Sequence, residues 1–475
     1  MSPLLLSIVL FAQSDLQKSP SEGWTSERVV AHALARSPKL AAARARREGA
    51  GAELDAAWAA VLPRVRGSGR FTKLSDIDNR PLVQLGLDVD QARAGVAQIQ
   101  DPATQAVLGA QLDELAALSS VTIEVPTEQW LLEVELAYPI SRVFTQILPA
   151  IDARASAESA AVAKAAMTES AVLLDAVGAF HAFIRAESAL EVSRLGLKDA
   201  EQALAAGQGR LRVDMADRTE LLRLEARVAE AVGQLARAEA GLEAARVQLR
   251  TRAGIDAEDP LEVAEDLYRS SEPPPAAATE SLVAQAWSHR PELAALRHAA
   301  AAQGSLAAAE WGGALPTLDG AAKLVYGQPN PYYVPPNDDF EATWLVAAVV
   351  EWSPDGAWAA GRRAEAAEAE QRALLADLED VRDGVRIEVS DLAARLRASH
   401  RVLEAAEAGL KAAEAGHAAI QRAFELGASD ATEVIDTQLQ LQRARLGRVD
   451  AAVERRWLEV RLAEAIGARR AALAK

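Results

Sequence analysis

The sequence repeats itself. Residues 26–63 (SERVVAHALARSPKLAAARARREGAGAELDAAWAAVLP) align without a gap on residues 279–316 (TESLVAQAWSHRPELAALRHAAAAQGSLAAAEWGGALP). Pro38 falls on Pro291, Trp58 on Trp311 and Pro63 on Pro316, each pair 253 residues apart. Farther along, Trp130 matches Trp344 and Tyr138 matches Trp352 at a spacing of 214, and Asp217, Glu220 and Gly254 match Asp430, Glu433 and Gly467 at 213. Three registers in one order mean two copies of a single unit, so any fold must be built twice from the same elements. The copies span 24–255 and 279–467. A linker, 256–278, carries Pro273, Pro274 and Pro275, and residues 468–475 form a C-terminal tail.

Each copy reads helix, strand, loop, strand, long helix, turn, helix. In the second copy the long arm runs from Arg362 to Leu426. Leu403, Ala406, Leu410, Ala413, His417, Ile420 and Phe424 alternate steps of three and four along it, a heptad seam for lengthwise packing. As a helix this arm would be roughly 100 Å long. Gly427 marks the turn. Asp430 then stands at a cap position with Glu433 three residues on, the capping-box spacing, and Asp217 and Glu220 repeat it in the first copy. Leu439, Leu446, Val453 and Val460 recur every seven residues on the way back. Helices Ser26–Ala60 and Arg218–Arg252, butted end to end, would match one long arm. Asp259–Tyr268 and the C-terminal tail would then form a belt near the joints.

The strand segments are 64–74, 128–138, 317–326 and 340–352. Trp130, Leu132, Val134, Leu136 and Tyr138 alternate with Gln129, Glu133 and Glu135, and Trp344, Val346, Ala348, Val350 and Trp352 form a second such row. About ten residues is the length of a tilted membrane strand, and Trp130, Trp344, Trp352 and Trp358 lie at or near strand ends, where interfacial aromatics belong. The same alternation would serve an amphipathic sheet on a soluble core. In lipid a sheet must close on itself, and barrels need about eight strands. Four strands per chain would therefore make a barrel only by sharing it among identical chains.

A net charge of −17 argues against nucleic acid as a partner. The chain has no cysteine, which removes disulfides, thiolate catalysis and Cys-based metal sites. Half of the residues are hydrophobic but only 4% are aromatic, and alanine supplies much of the rest, favouring close helix packing. No two of the six histidines are spaced as a metal pair. Gly207-Gln208-Gly209 lacks the further glycines or lysine of a phosphate loop. No catalytic, cofactor or metal site is expected. Residues 1–12 read as a secretory signal, too short to span a bilayer and without a positive start, or else as an apolar terminus.

The duplicated hairpins, the helix ends Ala59–Pro63 and Gly313–Pro316, and the stretch Leu426–Gln438 resemble the TolC-like family of outer membrane efflux proteins, over nearly the whole chain. The resemblance implies a mainly α fold with a β-barrel portion. Internally duplicated, long α-helical hairpins form a periplasmic α-barrel, and four transmembrane β-strands per chain enter a shared trimeric barrel. It implies a passive conduit opened by a periplasmic adaptor (membrane fusion) protein and an inner-membrane pump. The competing class is a soluble or peripheral periplasmic coiled-coil scaffold or adaptor. Two departures stand out: the chain lacks the lipidated cysteine of one subgroup, and its first interstrand loop is 39 residues longer than the second, within Ser75–Thr127 and including a helical-looking stretch, Asp88–Ser119. That excess is either a cap over the barrel mouth or a spacer.

The family's gate is a ring of acids on the returning helix, which falls here on Glu433 and Asp436; Glu433 has the capping box as its alternative role. Arg210, Arg212 and Arg218 are candidates to pair with acids across the closed end, or else lie in a solvated loop. Gly207, Asp217, Glu220, Gly427 and Asp430 mark the tips where an adaptor would dock, by family analogy alone.

Overall fold

The computed structural model describes residues 23–75, 88–120, 126–213, 217–269, 279–334 and 338–468. The signal segment, the triple proline and most of the C-terminal tail lie outside these residues. The elements are α1 (Ser26–Arg36), α2 (Pro38–Trp58), β1 (Arg64–Lys73), α3 (Val89–Val96), α4 (Pro102–Ser120), β2 (Glu128–Tyr138), α5 (Leu148–Arg212), α6 (Arg218–Ala253), α7 (Thr279–His289), α8 (Pro291–Gly312), β3 (Thr317–Gln328), β4 (Glu341–Glu351), α9 (Pro354–Glu425) and α10 (Ala431–Ala465). The fold is mainly helical with one small antiparallel sheet. Two compact units are present, one of residues 1–52, 155–302 and 370–475, the other of residues 53–154 and 303–369.

The first unit is a packed bundle of hairpins. Its core is small and aliphatic: Val29, Ala176, Phe180, Leu249, Ala253, Ala452 and Val453 form one cluster, and Val283, Val389, Leu392, Leu458 and Leu462 another. The heptad seam on α9 is its buried stripe, with Leu403, His417 and Phe424 buried and Ala406, Leu410, Ala413 and Ile420 half-buried between exposed neighbours. The expected row on α10 holds at Val453 and Val460, which are buried, but fails at Leu446. Leu446 is exposed and Leu439 half-buried, while Ala431, Val434, Gln438, Leu441 and Gln442 are buried. The three-four spacing is there, but glutamines occupy part of it.

The single helix expected over Ser26–Ala60 is two. Proline disfavours helical geometry in the residue before it, and Ser37 is extended (φ −67°, ψ 118°) ahead of Pro38. The second copy breaks before Pro291. Each break is a joint. Arg36 donates to Gly254 O (3.0 Å) and pairs with Asp256 (2.7 Å). In the second copy His289 packs on Gly467, and Arg290 donates to Ala465 O (2.9 Å) and pairs with Glu292 and Glu388. Gly254 and Gly467, 213 residues apart, both have positive φ (69° and 75°). The segment after Gly254 is pinned by backbone contacts: Trp24 N donates to Glu262 O, Arg455 to the carbonyls of Leu267 and Arg269, and Arg456 to that of Asp266.

The second unit holds the sheet, in strand order β1-β2-β3-β4 and antiparallel throughout. Val134 faces Gly67 on one side and Leu324 on the other, and Leu324 faces Trp344. A π-helical stretch, Val143–Ile147, leads from β2 into α5. The helical-looking stretch Asp88–Ser119 is a hairpin of α3 and α4, held by an Arg93–Asp113 ion pair.

Candidate functional site

The register sorts the sheet into two faces. One carries Val65, Phe71, Trp130, Leu132, Val134, Leu136, Leu324, Tyr326, Trp344, Val346 and Val350, and all of these are exposed. Trp344 is 78% exposed and Val346 72%. An amphipathic sheet in water packs such a face against a core; among the described residues nothing covers this one, and a contiguous bare apolar surface of this kind marks a partner or membrane surface. Aromatics cluster where the strands end: Phe71 lies 4.5 Å from Trp130 and Tyr326 stacks on Phe340 at 5.3 Å. Tyr138 and Trp352 stand at the opposite ends of β2 and β4.

The other face is mixed, polar on β1 and along the middle of β2 and β3, with Leu131, Val325, Leu345, Ala347 and Val349 among its residues. Arg64, Arg66, Ser68, Arg70 and Thr72 on β1 face the row of Glu133 and Glu135 on β2, and Lys323 on β3 pairs with Glu133 at 2.8 Å. Arg142, just after β2, grips Asp319 through two contacts of 3.2 and 3.1 Å. The sheet's outermost strands, β1 and β4, have no partner on their outer edges among the described residues.

The hairpin ends lie in the other unit. The second closes with Gly427 in the left-handed region (φ 76°). Gly427 N donates to Phe424 O (3.0 Å) and Ala428 N to Ala423 O (2.8 Å), a Schellman closure that satisfies orphan carbonyls. Asp430 caps α10, accepting from Thr432 N (2.7 Å) and Glu433 N (2.9 Å), and these backbone donors hold its carboxyl below the usual range. Glu433 does not complete a capping box; its carboxylate takes the hydroxyl of Ser429 instead. Asp436 is exposed, with no ion pair or hydrogen bond among the described residues.

At the first end Asp217 caps α6 through Glu220 N (2.7 Å). Gly207 is not in the turn: it is buried inside α5, and a Cβ there would sit 2.5 Å from Leu224 Cδ1. Its missing side chain lets α5 and α6 approach closely. Arg210 donates to Glu220 (3.2 Å) and to Ser429 O (3.1 Å), and stacks over Phe424 at 4.4 Å. Glu220 also accepts from Ala431 N at 3.2 Å. Arg210 and Glu220 thus tie the first end to the second within one chain. Among the described residues Arg212 donates only to Gln208 O of its own helix (3.4 Å), and Arg218 is exposed.

A third group had no place in the sequence reading. Arg227 on α6 is 3% exposed and donates to Gln438 (3.3 Å), Gln442 (3.0 Å) and Glu230 (3.1 Å), while Gln438 donates to Gly196 O (2.6 Å). Glutamines recurring every four residues after Val434 (Gln438 and Gln442) were the available signal. His181 is buried beside Trp457 and Phe180, its ring nitrogens without a hydrogen-bond partner among the described residues, and burial pushes its pKa down to about 3.

Among the described residues one helical stretch, Ile140–Arg212, is long and apolar enough to cross a membrane by length and composition, but half of its most apolar segment is buried within the protein. No family model matches the sequence, and no curated protein matches it. Solved structures do. The outer membrane protein VceC of Vibrio cholerae superposes with a TM-score of 0.74 at 14% identity, over 93% of this chain and 96% of that one. The CmeC outer membrane channel of Campylobacter jejuni gives 0.74 at 13%, over 94% and 86%. The open state of the MtrE outer membrane channel of Neisseria gonorrhoeae gives 0.69 at 15%, over 95% and 89%. At such low identity the likeness is one of architecture, and that architecture is the fold of the TolC-like outer membrane efflux proteins.

Proposed function

We propose that the protein is an outer-membrane channel of a tripartite efflux or type I secretion system, a passive conduit and not an enzyme. The observation that carries this reading is the bare apolar face of a four-stranded sheet whose outer edges are both unpaired. Such a face is stable in lipid, where the open edges must find partners. Three chains would supply twelve strands and a closed barrel with its apolar face outward and the row of Arg64, Arg66, Glu133 and Lys323 lining the interior. The helical hairpins would extend into the periplasm. Their ends, around Gly207, Asp217, Glu220, Gly427 and Asp430, would meet a periplasmic adaptor that serves an inner-membrane pump.

Glu433 and Asp436 are the gate candidates. Both are exposed and lie one turn apart on α10. Repeated around a symmetry axis they would form stacked carboxylate rings, which favour cations. The test is single-channel conductance of the purified protein in a planar bilayer. Small, stable, cation-preferring steps are expected, and Asp436→Ala is expected to raise conductance. Unchanged conductance in an intact oligomer removes Asp436 from the gate. No insertion, with a soluble extended particle, returns the protein to the coiled-coil scaffold reading.

A further inference from the structure

The second unit carries a helical hairpin that the duplication does not explain. α3 and α4 sit in the connection between β1 and β2, within the 39-residue excess over the β3–β4 connection. The hairpin is built: Asp88 caps α3 through Asp90 N and Gln91 N, Arg93 pairs with Asp113, and Gln105 donates to Ala97 O. Gln105, Gly109, Leu112 and Ala116, at helical spacing, form its half-buried side. Another side of α4 leaves Val107 60% exposed and Leu108 and Leu115 also bare.

The β3–β4 connection bears a second bare apolar group, and it too is held in place. Asn330 is fully buried and donates to Glu341 O (2.9 Å) and Thr343 Oγ1 (3.1 Å), while its side chain accepts from Tyr332 N (3.0 Å). On this support Tyr332, Tyr333 and Val334 face outward, Val334 at 88% exposure. Both connections leave the sheet at the same end, because Lys73 pairs with Glu128, Trp130 with Gln328, and Gly327 with Glu341. One connection leaves from the free-edged strand β1 and the other leads into the free-edged strand β4. A sheet closed by copies of itself must bring the β1 edge of one copy to the β4 edge of the next. The two bare groups then flank the same seam.

We propose that the α3–α4 hairpin is an intersubunit clasp: the Val107, Leu108 and Leu115 side of one copy covers the Tyr332, Tyr333 and Val334 group of a second copy at the rim of the shared sheet. This rests on the shared-barrel reading above. Two exposed apolar groups, each on an internally braced connection and each connection joined to a strand with an unpaired edge, are complementary in chemistry, and burial of both follows from closing the sheet. The clasp would lock the seam where barrel hydrogen bonds end.

The absence of cysteine makes the test direct. Double variants Val107→Cys/Val334→Cys and Val107→Cys/Tyr332→Cys of the full chain are extracted from envelopes in mild detergent and oxidised. Covalent dimers and larger species, reversed by reductant, are expected from the doubles and not from the single variants. Co-expression of Val107→Cys with Val334→Cys on separate chains is expected to stop at dimer. If light scattering shows the oligomer intact while both thiols stay free for maleimide, the clasp is wrong and the shared barrel survives. A cross-link confined to one chain also overturns the clasp. A monomer by light scattering overturns the clasp and the barrel together.

Discussion

The two hairpin ends are copies that have been put to different uses. In each, a four-residue link (213–216 and 426–429) precedes a capping aspartate, Asp217 or Asp430, and a glutamate three residues on. Glu220 reaches across to Arg210 and to Ala431 N of the other hairpin, whereas Glu433 stays within its own turn on Ser429. Arg223 donates to Thr432, while its counterpart Asp436 is exposed. The positions the copies share build the helix starts. The positions where they diverge decide which end holds and which end is held. A duplicated fold therefore keeps its architecture in the matching residues and its division of labour in the mismatches.

The largest effect that would break this comparison is in the buried network. Gln438→Leu leaves the Arg227 guanidinium buried with one acceptor fewer and should cost about 3 kcal/mol in denaturant unfolding. Its counterpart in the first copy, Glu225, is exposed, and Glu225→Leu should cost within about 0.5 kcal/mol. Equal costs would mean the copies are energetically symmetric after all.

A pH scan tests another mismatch. His181 has no matching histidine, since Ala394 and Arg395 stand nearest its place in the second copy. Burial lowers its folded pKa to about 3 from 6.5, so the unfolded state binds the proton first as pH falls. Stability is then complete above about pH 6.5 and is lost progressively toward pH 3. By pH 4 the loss should be about 3 kcal/mol, and His181→Phe should flatten the profile, leaving the smaller slope of His400 and His417, which are lowered in the same direction, also by burial. An unchanged profile in the variant would clear His181 of the effect.

Smaller effects sharpen the picture at the ends themselves. Arg210→Ala removes a shielded ion pair, a carbonyl contact and the stack on Phe424, and should open the tips by about 2 kcal/mol in amide exchange, against within about 0.5 kcal/mol for Arg212→Ala. Smallest is the contrast between Glu220→Gln, at about 1 kcal/mol, and Glu433→Gln, at a few tenths. The reverse order would place the crossing contact at the wrong end.

Legibility in the sequence followed the physics of each element. The α9 seam was visible because its buried positions are apolar, whereas on α10 Gln438 and Gln442 take the buried places and a hydrophobic pattern points to Leu446, which is bare. Pro38 and Pro291 were in plain view as a matching pair and impose their breaks locally, but the joints those breaks make with Gly254 and Gly467 depend on packing. Alternation revealed the two faces of the sheet but not whether anything covers them, which depends on tertiary packing. The caps at Asp217 and Asp430 were legible from spacing alone. Arg210 was a candidate for pairing, but its partner Glu220 was read as a cap and a docking-tip residue, because a contact between two hairpins leaves no local signature.

Arg227 and its acceptors also set an order of assembly. Gln438 lies 211 residues further along the chain, so a nascent first copy offers the guanidinium only Glu230, on its own helix, and water. Drying that end of the bundle waits for the last helix to be made.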